Sequence, residues 1–181
     1  MKKSINLLLT FLLVNTLAFS QNPDTVKLVP VDEETNLITY QEIENQVGTK
    51  PELYNRTNDW FKSYYPNPGN VTKIKDIEKG LLTGIARFRI FDYDKKGNKF
   101  PAGTIQYSIK VDLKDGKYRL TLSKFNLLGA SYFPLERWLN EPKLYTKRNK
   151  IFLKQLDDKM KELIINFHTS MLPKKKPDTD W

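Results

Sequence analysis

The feature that most limits what this chain can fold into is a period of two running from Leu82 to Leu122. Leu82, Gly84, Ala86, Phe88 and Ile90 alternate with Thr83, Ile85, Arg87 and Arg89, and further on Ile105, Tyr107, Ile109, Val111 and Leu113 alternate with Gln106, Ser108, Lys110, Asp112 and Lys114. Successive side chains of a strand point to opposite faces, so each segment has an apolar side and a polar side. Asp115-Gly116 can supply the positive φ angles of a tight turn, after which Tyr118, Leu120 and Leu122 resume the alternation against Arg119, Thr121 and Ser123. That predicts an antiparallel hairpin. A second hairpin precedes it, with residues 71–77 turning through Glu78-Lys79-Gly80 into the strand from Leu82, and residues 92–101 read as the loop between the two hairpins.

An apolar sheet face needs cover, and two segments carry the helical period. Thr49-Lys50-Pro51-Glu52 has a hydroxyl to cap free N–H groups, a proline suited to the first turn and a glutamate that reaches back from three residues on. Leu53, Thr57, Trp60, Phe61 and Tyr64 then form one stripe, which Pro66-Asn67-Pro68-Gly69 ends. Phe152, Leu156, Met160, Leu163, Ile164 and Phe167 mark a second amphipathic helix over residues 151–168, closed by Pro173. Residues 37–44 read as a first strand, residues 126–150 as a long loop with a short helical turn near Trp138, and residues 173–181 as a basic tail. The expected fold is α+β, a single antiparallel sheet with two helices on one face in the order β-α-β-β-β-β-α, over residues 36–172. Its other face is left for solvent or a ligand.

Ahead of this domain, Met1-Lys2-Lys3, an apolar run from Ile5 to Phe19 and the small-x-small string Ala18-Phe19-Ser20 have the order of a cleavable signal peptide over residues 1–20. The apolar run falls short of the about 20 residues that span a bilayer and is interrupted by Asn15. Residues 21–35 read as a polar leader. The sequence holds no cysteine, so neither a disulfide nor a lipid-modified cysteine is available, and no second long apolar run follows. The expectation is an exported product, periplasmic or extracellular, without a transmembrane anchor after cleavage. A formal net charge of +9, still basic once Lys2 and Lys3 are removed, favours an anionic partner.

Several local strings resemble the domain-of-unknown-function family numbered 4468, which has a TBP-like fold and is typical of secreted proteins of Bacteroidota. They are Tyr54-Asn55-Arg56 with Trp60, the stretch from Asp76 to Gly84, and Lys114-Asp115-Gly116-Lys117-Tyr118-Arg119, and with the flanking strands they cover residues 36–125. The resemblance implies the fold, its topology and an exported location. It implies no activity and no site residue, and the step from a TBP-like fold to DNA binding would be analogy alone.

The candidate chemistry is sparse. His168 is the sole histidine and stands near a helix C-terminus, where an imidazole suits the helix dipole better than a catalytic set. Asp92-Tyr93-Asp94-Lys95-Lys96-Gly97-Asn98 begins like a calcium loop, yet Lys96 stands at position five and Gly103 where a glutamate should close it, so a polar hairpin loop is the simpler reading. Asp157, Asp158 and Glu162 lie beside Lys154, Lys159 and Lys161, and pairing along a solvated helix accounts for them. No catalytic residue, cofactor or metal site is expected.

The polar alternates Arg87, Arg89, Lys110 and Arg119, with Lys114 beside them, share the open sheet face and are the expected ligand-facing surface. Stacking aromatics at that face are limited to Phe91 and Phe125, so nucleic acid is not the expected partner. The reading is a non-enzymatic binding or assembly module whose open basic face or edge strand meets an envelope protein or an acidic glycan. The alternatives are a carboxylate-based hydrolase of unrecognised type and a binder of anionic glycan or nucleic acid; the oligomeric state is left open.

Overall fold

A computed structural model describes residues 28–173. The expected signal peptide and the tail from residue 174 lie outside the described residues. Local chemistry starts the first helix as expected. Thr49 Oγ1 accepts from the Glu52 N–H and the Glu52 carboxylate accepts from the Thr49 N–H at 2.7 Å, with Pro51 in the first turn, so α1 runs Lys50–Tyr64. Leu53, Thr57, Trp60 and Phe61 are buried on its inner side.

Six strands make one antiparallel sheet: β1 (Tyr40–Asn45), β2 (Thr72–Asp76), β3 (Leu81–Tyr93), β4 (Lys99–Lys114), β5 (Lys117–Leu127) and β6 (Phe133–Pro134). The spatial order is β1-β5-β4-β3-β2, with β6 continuing along β5 where it pairs Asn126 and Leu127. Among the described residues no helix is long and apolar enough to cross a membrane. The one-turn helix α2 (Pro68–Val71) precedes β2, and α3 (Arg137–Asn140) follows β6. α1 and the long last helix α4 (Lys147–Met171) pack on the apolar side of the sheet, as the alternation requires. Leu82, Ala86, Ile90, Ile105, Ile109, Val111, Leu120 and Leu122 all face them from the strands, each 2% exposed or less. Trp60 Nε1 donates to Asn166 Oδ1 at 2.7 Å, and Arg56 Nη1 donates to the Met171 carbonyl at 2.9 Å, tying the two helices together at that end.

Three expectations are corrected. Residues 92–101 are not a loop: β3 continues to Tyr93 and β4 begins at Lys99. Asp94 shortens the turn by accepting from the Lys96 and Asn98 N–H groups at 2.8 and 2.9 Å. Residues 126–150 are also structured, by β6, the short helix α3 (Arg137–Asn140), a 3-10 turn at Pro142–Leu144 and the start of α4. Elements of two to four residues have no periodicity to read. They are fixed instead by tertiary bonds, above all Phe133 N–H to Asn126 Oδ1 at 2.6 Å and Ile38 N–H to the buried Glu136 carboxylate at 2.9 Å. Finally, the described part of the polar leader belongs to the domain, with Val29 buried in the core and Val31 bridging Ile38.

Candidate functional site

Strand register lays out the uncovered face row by row. At one end Asp112 on β4 stands between Leu81 on β3 and Arg119 on β5, and Arg119 in turn faces Ile43 on β1. The next row holds Thr83, Lys110 and Thr121, and the one after it Ile85, Ser108 and Ser123. Arg87 then faces Gln106, and Arg89 faces Thr104. The four expected cations do share one face, but a neutral row at Ile85, Ser108 and Ser123 divides them into two pairs.

The pairs differ electrostatically. Lys110 Nζ lies 3.0 Å from Asp112 Oδ1, and Arg119 reaches Asp112 Oδ2 with Nε and Nη2 at 3.0 and 2.9 Å. Partial burial pushes the Asp112 carboxyl up, but the hydrogen bonds and charges of Lys110 and Arg119 outweigh it and hold the group below the usual aspartate value. One carboxylate thus serves two cations, while the next row at that end sets Lys114 opposite Lys117, both exposed and without an ion-pair partner among the described residues. Arg87 meets a neutral acceptor, donating from Nε to Gln106 Oε1 at 3.1 Å. Arg89 has no ion-pair partner among the described residues. Arg87 and Arg89 are thus cations of the face that no carboxylate neutralises.

The aromatics do not join them as the alternation implied. Phe125 is fully buried, stacked on Tyr107. A bulge between the Ser108 and Gln106 pairings, with Lys124 at φ 57°, inserts one residue into β5 and turns every later side chain to the opposite face. Phe91 keeps to the open side, where Lys99 Nζ sits 3.9 Å from its ring centroid.

Beside Arg87 lies an open groove of about 660 Å³, bounded by the chain from Tyr65 to Val71 on one side and by Ile85, Arg87 and Gln106 on the other. Lys73 and Arg87 are its charged lining residues, and no carboxylate lines it. Sequence reasoning missed this groove because it arises from where β2 stops rather than from any residue pattern. The residues that could have pointed to it are Lys73 and Pro66-Asn67-Pro68-Gly69, whose turn-forming composition marks a chain reversal but not a cleft.

The other candidates are placed as follows. Asp157 accepts from the Tyr40 hydroxyl at 3.2 Å and from Lys161 at 2.7 Å, Asp158 pairs with Lys154 at 2.8 Å, and Glu162 with Lys159 at 3.0 Å. Burial, and then Asp157, push the Tyr40 phenol up. His168 stands near the C-terminal end of α4 with its ring against Tyr118 and its Nε2 buried without a partner. In the loop that resembles a calcium site, Asp94 is spent on its own turn and Asp92 bonds Arg148 at 2.6 Å. Among the described residues no three His, Asp or Glu side chains are grouped to hold a metal ion.

An antiparallel sheet carrying two helices on one face and, among the described residues, no helix on the other defines the class, a TBP-like α+β fold. It is seen also in a TBP-like protein from Parabacteroides distasonis, with a TM-score of 0.65 at 14% identity over 80% of this chain and 97% of that one. A DUF4468 family protein from Bacteroides ovatus superposes with a TM-score of 0.64 at 16% identity, over 84% of this chain and 95% of that one. Residues 40–127 match the family described as "Domain of unknown function (DUF4468) with TBP-like fold", and this stretch of the chain is a domain of that family. A further likeness, 30% identity over 102 residues, is to a PolC-type DNA polymerase III of Ureaplasma parvum. It spans 56% of this chain but 7% of the polymerase, and so concerns one segment of that protein.

Proposed function

We propose that the protein is an exported, non-enzymatic binding or assembly module of the cell envelope that meets an acidic partner through its open basic sheet face. The observation that carries this reading is the Arg87–Arg89 end of the face, where two guanidinium groups stand exposed without a carboxylate beside them. An uncompensated pair of cations on a rigid sheet is a standing attraction for anionic groups, and arginine can grip a carboxylate with two hydrogen bonds. The carboxylates Asp157, Asp158 and Glu162 support the non-enzymatic part of the reading, since each is engaged by a lysine on α4 instead of converging with another acid on a cleft. The signal-like residues 1–20 support export.

The test is capture of cross-linked partners from an envelope fraction by the full chain and by a variant with Arg87, Arg89, Lys110 and Arg119 all replaced by Ser. Capture should fall in the variant, with Arg87 and Arg89 accounting for most of the loss. Undiminished capture by the folded quadruple variant would overturn the reading. Binding through these cations should also weaken as salt is raised, because exposed charges are screened over about 10 Å at 0.1 M ionic strength.

A further inference from the structure

The uncovered face ends at a strand edge that is itself unfinished. β2 pairs with β3 only as far as Thr72 opposite Gly84, while β3 continues to Tyr93. Successive residues of an antiparallel strand turn their N–H and C=O groups to alternate sides. Phe91 shows which residues face outward: its N–H donates to Gln155 Oε1 at 2.9 Å and its C=O accepts from Gln155 Nε2 at 2.7 Å. The side-chain amide of Gln155, on α4, thus takes the place of a neighbouring strand at that point. Counting back in twos, Arg89, Arg87 and Ile85 present their backbone groups to the same side, and among the described residues no strand pairs with them there. β2 closes one end of this gap and Gln155 the other. The open stretch of residues 85–90 spans about 20 Å at the usual rise of an antiparallel strand.

We infer that this gap in the sheet edge, residues 85–90 of β3, is completed by an extended acidic segment of a partner protein, added as an antiparallel strand. The inference rests on the reading of the chain as a binding module and names what it binds. Charge chooses the occupant. The groove alongside the gap is lined by Lys73 and Arg87 and by no carboxylate. Residues that pair by backbone hydrogen bonds across an antiparallel ladder project to the same face, so partner residues opposite Arg89 and Arg87 lie beside the two guanidinium groups, and a residue opposite Ile85 meets an apolar side chain. The pattern that fits is acid-x-acid-x-apolar, with the x residues turned to the helix side next to Phe88 and Ala86. Opposite charges facing each other across strands stabilise the pair, and like charges destabilise it.

The same charges exclude a second copy. An antiparallel pairing of two such edges centred on Arg87, Phe88 or Arg89 sets arginine opposite arginine, and a register shifted toward Ile85 collides with β2, one shifted toward Phe91 with Gln155. Edge cations are a recognised protection against self-pairing. Here they also specify the visitor. Main-chain bonds from an exposed edge supply affinity, and the alternate side chains supply the choice of partner.

The probe is a fluorescent acetylated pentapeptide amide, Glu-Val-Glu-Val-Ile, titrated into the full chain in low-salt buffer and followed by anisotropy. Saturable binding is expected, with none for Lys-Val-Lys-Val-Ile. N-methylation of both glutamate N–H groups keeps every charge but removes two strand bonds, and should weaken binding by at least about tenfold. Arg87→Glu with Arg89→Glu, whose fold is checked by circular dichroism, should weaken the parent peptide by about tenfold or more. Ile85→Pro, which removes one outward N–H and no charge, should weaken it as well. No binding of the parent peptide, or equal binding of the methylated one, overturns strand addition. If that happens while the Ser variants still lose envelope capture, the module reading stands without it; if the Ser variants also capture normally, both fall.

Discussion

Leu120 and Thr121 are neighbours on β5 and belong to different environments. Leu120 faces the helices and is fully buried, whereas Thr121 faces the open side, between Lys110 and Gln41. The same contrast repeats along β3 and β4, and it divides the sheet into a side that holds the fold together and a side that is free to vary. Burial of an apolar side chain is worth about 1.5–3 kcal/mol, so the first side is constrained by packing. The second is held by exposed pairs worth about 0–1 kcal/mol each, and its composition can answer to a partner instead.

The contrast can be broken most directly at its sharpest point. Leu120→Ala should cost about 2–5 kcal/mol in denaturant unfolding, by lost burial and by the cavity left behind. Thr121→Ala should stay within about 0.5 kcal/mol of the parent. Equal losses would mean that the open side is packed after all. A smaller effect tests the helical cover: Thr49→Ala removes the hydroxyl half of the α1 capping box and should cost about 1 kcal/mol by the same measurement.

The smallest effect belongs to the open face itself and is read by pH. Since Asp112 is held below the usual aspartate value, its contribution to stability is fully present above the unfolded-state value and is lost as pH falls through the folded one. Asp112→Asn should flatten that acid limb of the stability curve slightly. At neutral pH it should also free Lys110 and Arg119 and strengthen binding of the acidic peptide. A variant whose acid limb matches the parent's would show that the Lys110–Asp112–Arg119 cluster contributes nothing measurable to folding.

How much of this was legible beforehand follows the same division. The long hairpins could be read because Leu82 to Ile90 and Ile105 to Leu122 each repeat a face often enough for the period to show. The cap at Thr49 could be read because all its groups lie within four residues. Arg87, Arg89, Lys110 and Arg119 fell on one face for the same reason as the core fell on the other. The sharing of Asp112 by Lys110 and Arg119 was not legible, since it depends on how the side chains settle across the β4–β5 register. Nor was the inward turn of Phe125, which depends on a single residue inserted at Lys124. Glu136 resisted for a third reason: its partner, the Ile38 N–H, is nearly a hundred residues away in the chain.

The pairing of β1 with β5 has a consequence for time. Tyr40 lies opposite Leu122 and Asn45 opposite Lys117, so the first strand of the sheet has no partner until almost the last one exists. A chain made from its N-terminus must carry β1 unpaired while the hairpins of β3, β4 and β5 become available, each joined through a short turn. Closing so long a loop adds little to the equilibrium cost, because that cost grows only with the logarithm of loop length. What it governs is tempo, since distant contacts slow folding. The strand that leaves the ribosome first is among the last that can take its place.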